Sequence, residues 1–191
     1  MTIASLSLLF TGHMVDLPGR KIPRFPPEIA DAVKEELARH ISYQIDARDK
    51  KDVKGFASLA RGGDILFHEV CRESNIKTVV VLPFAPDEFL ATSVEGAAFG
   101  NWPQRFRRIW DATSPEARRV LGLPRSDAAY VDCNNRLLDL ARAHGPVQLI
   151  AVWNGANGDG LGGTGHFVDR VRQESGREPD IIDPRGFIGQ N

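Results

Sequence analysis

The sequence predicts an α/β fold, a doubly wound and mostly parallel sheet of about five or six strands with helices on both faces, in one domain over residues 1–191. Three observations predict it. Short apolar runs of strand length alternate with segments whose apolar residues recur at helical spacing. The run Lys77-Thr78-Val79-Val80-Val81-Leu82 is β-branched with little polar alternation, as in a parallel strand covered on both faces. Three apolar runs are each followed by a glycine turn, at Gly12, at Gly62-Gly63 and over Asn154–Gly165.

Taken in order, Ser5 to Phe10 reads as the first strand, followed by the turn Thr11-Gly12-His13-Met14-Val15-Asp16. A polar, proline-rich stretch from Leu17 to Pro27 carries Arg20, Lys21 and Arg24. Pro27-Glu28 then opens a helix, with a proline in the first turn and an acid at the positive end. Ile29, Val33, Leu37 and Ile41 form its apolar stripe. Asp46 to Lys54 reads as a solvated helix end and loop, and Gly55 to Ala60 as the second strand. Arg61-Gly62-Gly63-Asp64 leads into a helix over Ile65 to Cys71, with Asp64 placed to cap it.

After the strand Lys77–Leu82, Pro86-Asp87-Glu88 and Pro103 each open a helix, and Phe106, Ile109 and Trp110 share a face of the second. Ser114-Pro115-Glu116 has the order of a third helix start, with a short strand at Val120-Leu121. Ser126 to His144 is a long helix stopped by Gly145, with Tyr130, Leu137, Leu138 and Ala141 inward. The apolar run Val147 to Trp153 follows, then the glycine loop, then a helix with Phe167, Val168 and Val171 inward that stops at Gly176. Asp180-Ile181-Ile182 is the last strand, and the tail from Pro184 is expected to fray.

Composition excludes several function classes. With 42% hydrophobic residues the chain can bury a proper core, and 24 basic against 25 acidic residues argue against a broad nucleic-acid-binding face. No apolar run approaches the roughly 20 residues that span a bilayer. The N-terminal run lacks a basic start and a small-residue cleavage site, so a soluble, cytoplasmic protein is expected, with no membrane partner. Cys71 and Cys133 read as reduced, half-buried thiols. The five histidines show no ligand spacing, so no metal is assigned.

The glycine loop carries the functional signal. A strand that feeds a flexible loop into a helix N-terminus presents backbone N–H groups lacking helical acceptors, and these attract phosphate. Gly155, Gly158, Gly160, Gly162, Gly163 and Gly165 let a ligand approach the backbone, and Thr164 can cap the helix or offer its hydroxyl to the same anion. The spacing matches neither the dinucleotide fingerprint nor the P-loop, so no cofactor is assigned. Right-handed crossovers place the three glycine turns on one sheet edge, where they converge on a crevice.

These motifs, Thr11 to Asp16, Arg61 to Glu69, and Val152-Trp153-Asn154 with Gly160-Leu161-Gly162-Gly163-Thr164, resemble the Rossmann-like SLOG superfamily over nearly the whole chain. It joins the lonely-guy phosphoribohydrolases, the core of DNA-processing protein A and the nucleotide-ligand sensor domains of melastatin-type channels and bacterial conflict systems. The resemblance implies that Gly162, Gly163 and Thr164 take a phosphate. It also implies that Gly12, His13, Met14, Gly62 and Gly63 line the ribose and base of a nucleotide or an ADP-ribose-like ligand. Arg20 and Arg24 are placed to fold over the crevice and pair with phosphate or else stay solvated, His13 to bond phosphate or ribose or else face water, and Asp64 and Asp16 to contact ribose or serve their turns. Asn154 marks the strand end of the third motif.

One departure bears on chemistry. In the hydrolase branch a glutamate follows the glycine motif by one turn, whereas Gly165-His166-Phe167-Val168-Asp169 follows Thr164 here. The expected function is therefore to bind and sense such a ligand, with a homodimer or an effector protein as partner. The alternative is an N-glycosidic hydrolase or transferase of nucleoside monophosphates, drawing its acid from Glu69, Asp16 or Asp169. His68 reads as a helix residue satisfied by its own neighbours, and Trp153 as core or as a stacking surface.

Overall fold

A computed structural model describes residues 5–46, 48–156 and 160–189. Met1 to Ala4 and Gly158 of the glycine loop therefore lie outside the described residues. Six parallel strands form one sheet in the order β4-β3-β2-β1-β5-β6. They are β1 (Leu6–Gly12), β2 (Val53–Ala57), β3 (Lys77–Leu82), β4 (Arg118–Val120), β5 (Val147–Val152) and β6 (Asp180–Ile182). Their connections carry α1 (Ala30–Ile45), α2 (Gly63–Glu73), α3 (Pro86–Phe89), α4 (Trp102–Ala112), α5 (Asp127–His144) and α6 (Thr164–Ser175).

Strand β1 is the centre of the molecule, and its sequence shows why. Leu6, Leu8 and Phe10 point into a core built with α1, α2 and α4, while Leu9 points into a second core with α5 and α6. Both faces are covered, so the strand is apolar without alternation. Ser7 is the polar exception, and its hydroxyl donates to the carbonyl of Ala141 on α5 at 2.7 Å.

The sheet grows outward from β1 through β2 and β3 to β4, then α5 carries the chain back to β5 on the other side of β1. The strand order reverses between β1 and β5, which opens a crevice at their C-terminal ends. Gly12 lies inside β1, opposite Val152, rather than in the turn that the sequence suggests. A Cβ at Gly12 would stand 2.9 Å from the Phe10 ring and 3.2 Å from the Val152 Cβ.

Other expectations are corrected in detail. Strand β2 spans Val53–Ala57, because the backbone beyond it bonds side chains of α2 instead of a neighbouring strand. The helix expected at Ser114 is a single 3₁₀ turn, Pro115–Ala117, which leads directly into β4. Two arginines on that short edge strand discourage further strand pairing. Leu90–Val94 forms a π turn, a feature without a sequence signal. The tail makes a 3₁₀ turn, Pro184–Phe187, with Asp183 accepting from the Arg185 N–H at 2.9 Å. Both cysteines are fully buried rather than half-buried, and burial pushes the Cys133 thiol up to about 12. No helix among the described residues is long and apolar enough to cross a membrane.

Candidate functional site

A cavity of about 300 Å³ lies at the reversal point between β1 and β5. Gly12, His13, Met14, Arg24, Asp64, Gly162, Gly163 and Thr164 line it, so segments far apart in the sequence meet there. The remaining three expected ligand residues, Gly62, Gly63 and Asn154, are not part of this lining.

Each of the three has a packing reason. Gly62 has φ +88°, and a Cβ there would come within 2.5 Å of the Val15 N–H nitrogen. Gly63 lets the first turn of α2 approach Gly12, whose Cα would be 3.2 Å from an added Cβ, and its N–H donates to the His13 carbonyl at 3.2 Å. Asn154 Oδ1 lies 3.0 Å from His13 Nε2 and accepts the Ala156 N–H at 3.1 Å. The His13 N–H in turn donates to the Val152 carbonyl. His13 is thus buried at 2% exposure and ties the β1 and β5 loops together. The solvent-facing alternative is excluded.

The anion seat expected from the sequence falls at the N-terminus of α6. Gly163 occupies the N-cap position with φ −74° and ψ 172°, and no side chain caps the helix. The first intrahelical bond runs from Phe167 N–H to the Gly163 carbonyl, which leaves the N–H groups of Thr164, Gly165 and His166 without helical acceptors. Gly162, at φ +84°, presses this turn on α5: an added Cβ would be 2.9 Å from the Tyr130 Cβ. Asn134 Nδ2 donates to the Gly162 carbonyl at 3.0 Å and fixes the turn from the same helix.

The cavity lining carries one guanidinium residue, Arg24, and two acids, Asp64 and Asp127. Arg24, half-buried, contributes a guanidinium, and its loop is held in place by Asp16. Asp16 Oδ2 accepts the N–H groups of Arg24 at 2.8 Å and Phe25 at 3.0 Å, and Oδ1 lies 3.2 Å from Arg20 Nε. Asp16 therefore organises the loop. Asp64 is 8% exposed, its Oδ2 accepts the Ala60 N–H at 3.0 Å, and burial raises its carboxyl to about 7. Burial favours its neutral form, which repels an anion less than an ionised aspartate would.

The remaining acids expected as alternatives lie apart from this cavity's lining. Glu69 accepts from Arg105 Nε at 2.8 Å and Nη2 at 2.5 Å, with Lys34 at 3.6 Å. Burial alone would raise its carboxyl, but Arg105 and Lys34 outweigh that and hold it below the ordinary range. Asp169 is half exposed and 3.6 Å from Arg172 on its own helix. His68 is buried and bonds the Thr78 hydroxyl and the Ser58 carbonyl, each at 2.9 Å, so its partners come from β3 and the segment after β2 rather than from α2. Burial lowers it to about 4, which keeps it neutral. Trp153 is 8% exposed, its indole donating to the Ala156 carbonyl at 3.0 Å. No cluster of metal-ligating side chains occurs among the described residues.

Sequence reasoning missed one wall. Phe89, Thr92 and Ser93, from α3 and the π turn, face Tyr130 and Asn134 of α5 across the cavity, and Ser93 Oγ lies 3.2 Å from the Tyr130 hydroxyl. Tyr130, Asn134 and Leu137 recur at helical spacing on the inward face of α5. Polar groups on an otherwise apolar stripe were the available signal.

The chain is similar to the X-ray structure of DNA processing protein A from Streptococcus pneumoniae. Identity is 13%, the match covers 97% of this chain and 62% of that one, and the TM-score is 0.42. The chain thus spans less than two thirds of that protein's length. No protein-family model and no curated protein matches the chain. The fold class rests on the parallel six-strand sheet and its order.

Proposed function

We propose that the protein binds a nucleotide or nucleotide-derived ligand, of the ADP-ribose kind, in the crevice between β1 and β5 and signals its presence to a partner. The observation that carries this reading is the uncapped N-terminus of α6 opening on a 300 Å³ cavity that also holds Arg24. Backbone N–H groups and a guanidinium suit phosphate, and a mixed wall of Phe89, Ser93, Tyr130 and Asn134 suits a ribose and base. Holding is favoured over cleavage because Glu69 and Asp16 are committed to structural partners and Asp169 is a solvated helix residue. The partner that receives the signal is an effector protein or a second copy of the chain.

Calorimetric titration with ADP-ribose, NAD and AMP tests the proposal. Saturable binding of at least one is expected, with the nucleotide recovered intact by chromatography afterwards. Failure of all three to bind defeats the reading. Release of free base would replace sensing with N-glycosidic hydrolysis.

A further inference from the structure

Asp64 is the buried carboxyl of the cavity, whose other acid, Asp127, is exposed. It is the second residue of α2, lines the cavity and is 8% exposed. Its one hydrogen bond comes from the Ala60 N–H, and no ion pair reaches it among the described residues. An ionised carboxylate buried so deeply requires a cation or two to three N–H donors. Asp64 has one donor, so its neutral form is favoured.

The groups around it do not alter this. On its own helix His68 is neutral and Glu69 is held by Arg105. Facing it from α5, Cys133 carries a protonated thiol, with Tyr130 and the exposed Asp127 on the same cavity wall. His13 and Arg24 line the cavity from the segment after β1. Arg61, on the connection before α2, spends its guanidinium on the carbonyls of Val15 at 3.0 Å and Glu95 at 3.4 Å.

We propose that Asp64 is a protonated hydrogen-bond donor of the crevice, reading an acceptor on the nucleoside part of the ligand, and that seating the phosphate draws a proton onto it. The inference rests on the ligand reading above. Its physical basis is the size of the cavity: a phosphate on α6 and an ionised Asp64 would share 300 Å³ of partly desolvated space, where their repulsion exceeds thermal energy. Protonation removes that repulsion and turns the acid into a donor. Burial already brings the free carboxyl to about 7, so the bound value lies higher. Between the two values binding takes up a proton, and affinity falls by up to about ten-fold for each pH unit gained.

The test combines two measurements on the intact chain. Carboxyl-carbon NMR of the free protein, with the Asp64 signal identified by its loss in Asp64→Asn, should titrate near neutrality. A midpoint in the ordinary range near 4 overturns the proposal. Calorimetry at pH 8 with ADP-ribose, in two buffers of different ionisation enthalpy, should show proton uptake in the wild type and none in Asp64→Asn. That variant keeps the Ala60 bond through its amide oxygen. Binding with no uptake, or with equal uptake in both proteins, defeats the inference and leaves the ligand reading standing. If none of ADP-ribose, NAD and AMP binds, the ligand reading fails and takes this inference with it.

Discussion

At the scale of single residues, two buried titrating groups oppose each other over the same pH range. Asp64 has a folded value near 7 against 3.8 for the ordinary group, so its contribution to stability is full at low pH and is lost as pH rises from about 4 to 7. His68 has a folded value near 4 against 6.5, so its contribution is present above 6.5 and lost as pH falls towards 4. Between these limits the two slopes cancel. Denaturant unfolding should therefore show that Asp64→Asn gains more stability from pH 4 to 6.5 than the wild type does. Parallel curves for the two proteins would contradict the assignment. Arg24 is the other residue with a directly readable role. Replacing Arg24 by Gln should weaken ADP-ribose binding roughly 10- to 100-fold, the worth of a charge-assisted hydrogen bond, with little change in melting temperature. An unchanged affinity would remove Arg24 from the phosphate site.

At the scale of elements, α2 and α6 begin alike in sequence but differently in space. Both follow a glycine pair at the end of a strand connection, yet the start of α2 is engaged by its own chain, with Gly63 N–H on His13 and Asp64 on Ala60. The start of α6 has no side-chain cap. Gly62→Ala should therefore cost stability, about 1–3 kcal/mol for a strained left-handed backbone and more for the clash with Val15, measured by chemical denaturation. Glu69→Gln, which loosens the α2–α4 clamp to Arg105, should lower stability by about 1–3 kcal/mol while ADP-ribose affinity stays unchanged. A selective loss of affinity in Glu69→Gln would return that acid to the site.

At the scale of the whole molecule, the alternation of apolar runs and helical stripes was enough to read the doubly wound sheet. β3 and β6 fall on the residues expected, because a β-branched run bounded by turn or proline signals has few other solutions. The topology that brings Gly12, His13, Arg24 and Gly162 to one cavity also follows from the crossover rule. What the sequence did not reveal depends on contacts between distant segments. The roles of Gly62 and Gly63 appear only when Val15 and Gly12 are seen beside them. The burial of His13 depends on Asn154, which lies 141 positions away. The wall of Thr92 and Ser93 depends on a π turn, which carries no periodic signature.

The central claim, that the first turn of α6 seats the phosphate of a bound nucleotide, is tested most directly by Gly163→Asp. The N-cap position has φ −74°, which any residue adopts, and an aspartate carboxylate there can accept the very N–H groups that would hold phosphate. Titrating ADP-ribose into both proteins, with circular dichroism as the check on folding, should give saturable binding in the wild type. In the variant binding should be absent, with equal or higher melting temperature. Equal binding by a folded Gly163→Asp would contradict the claim.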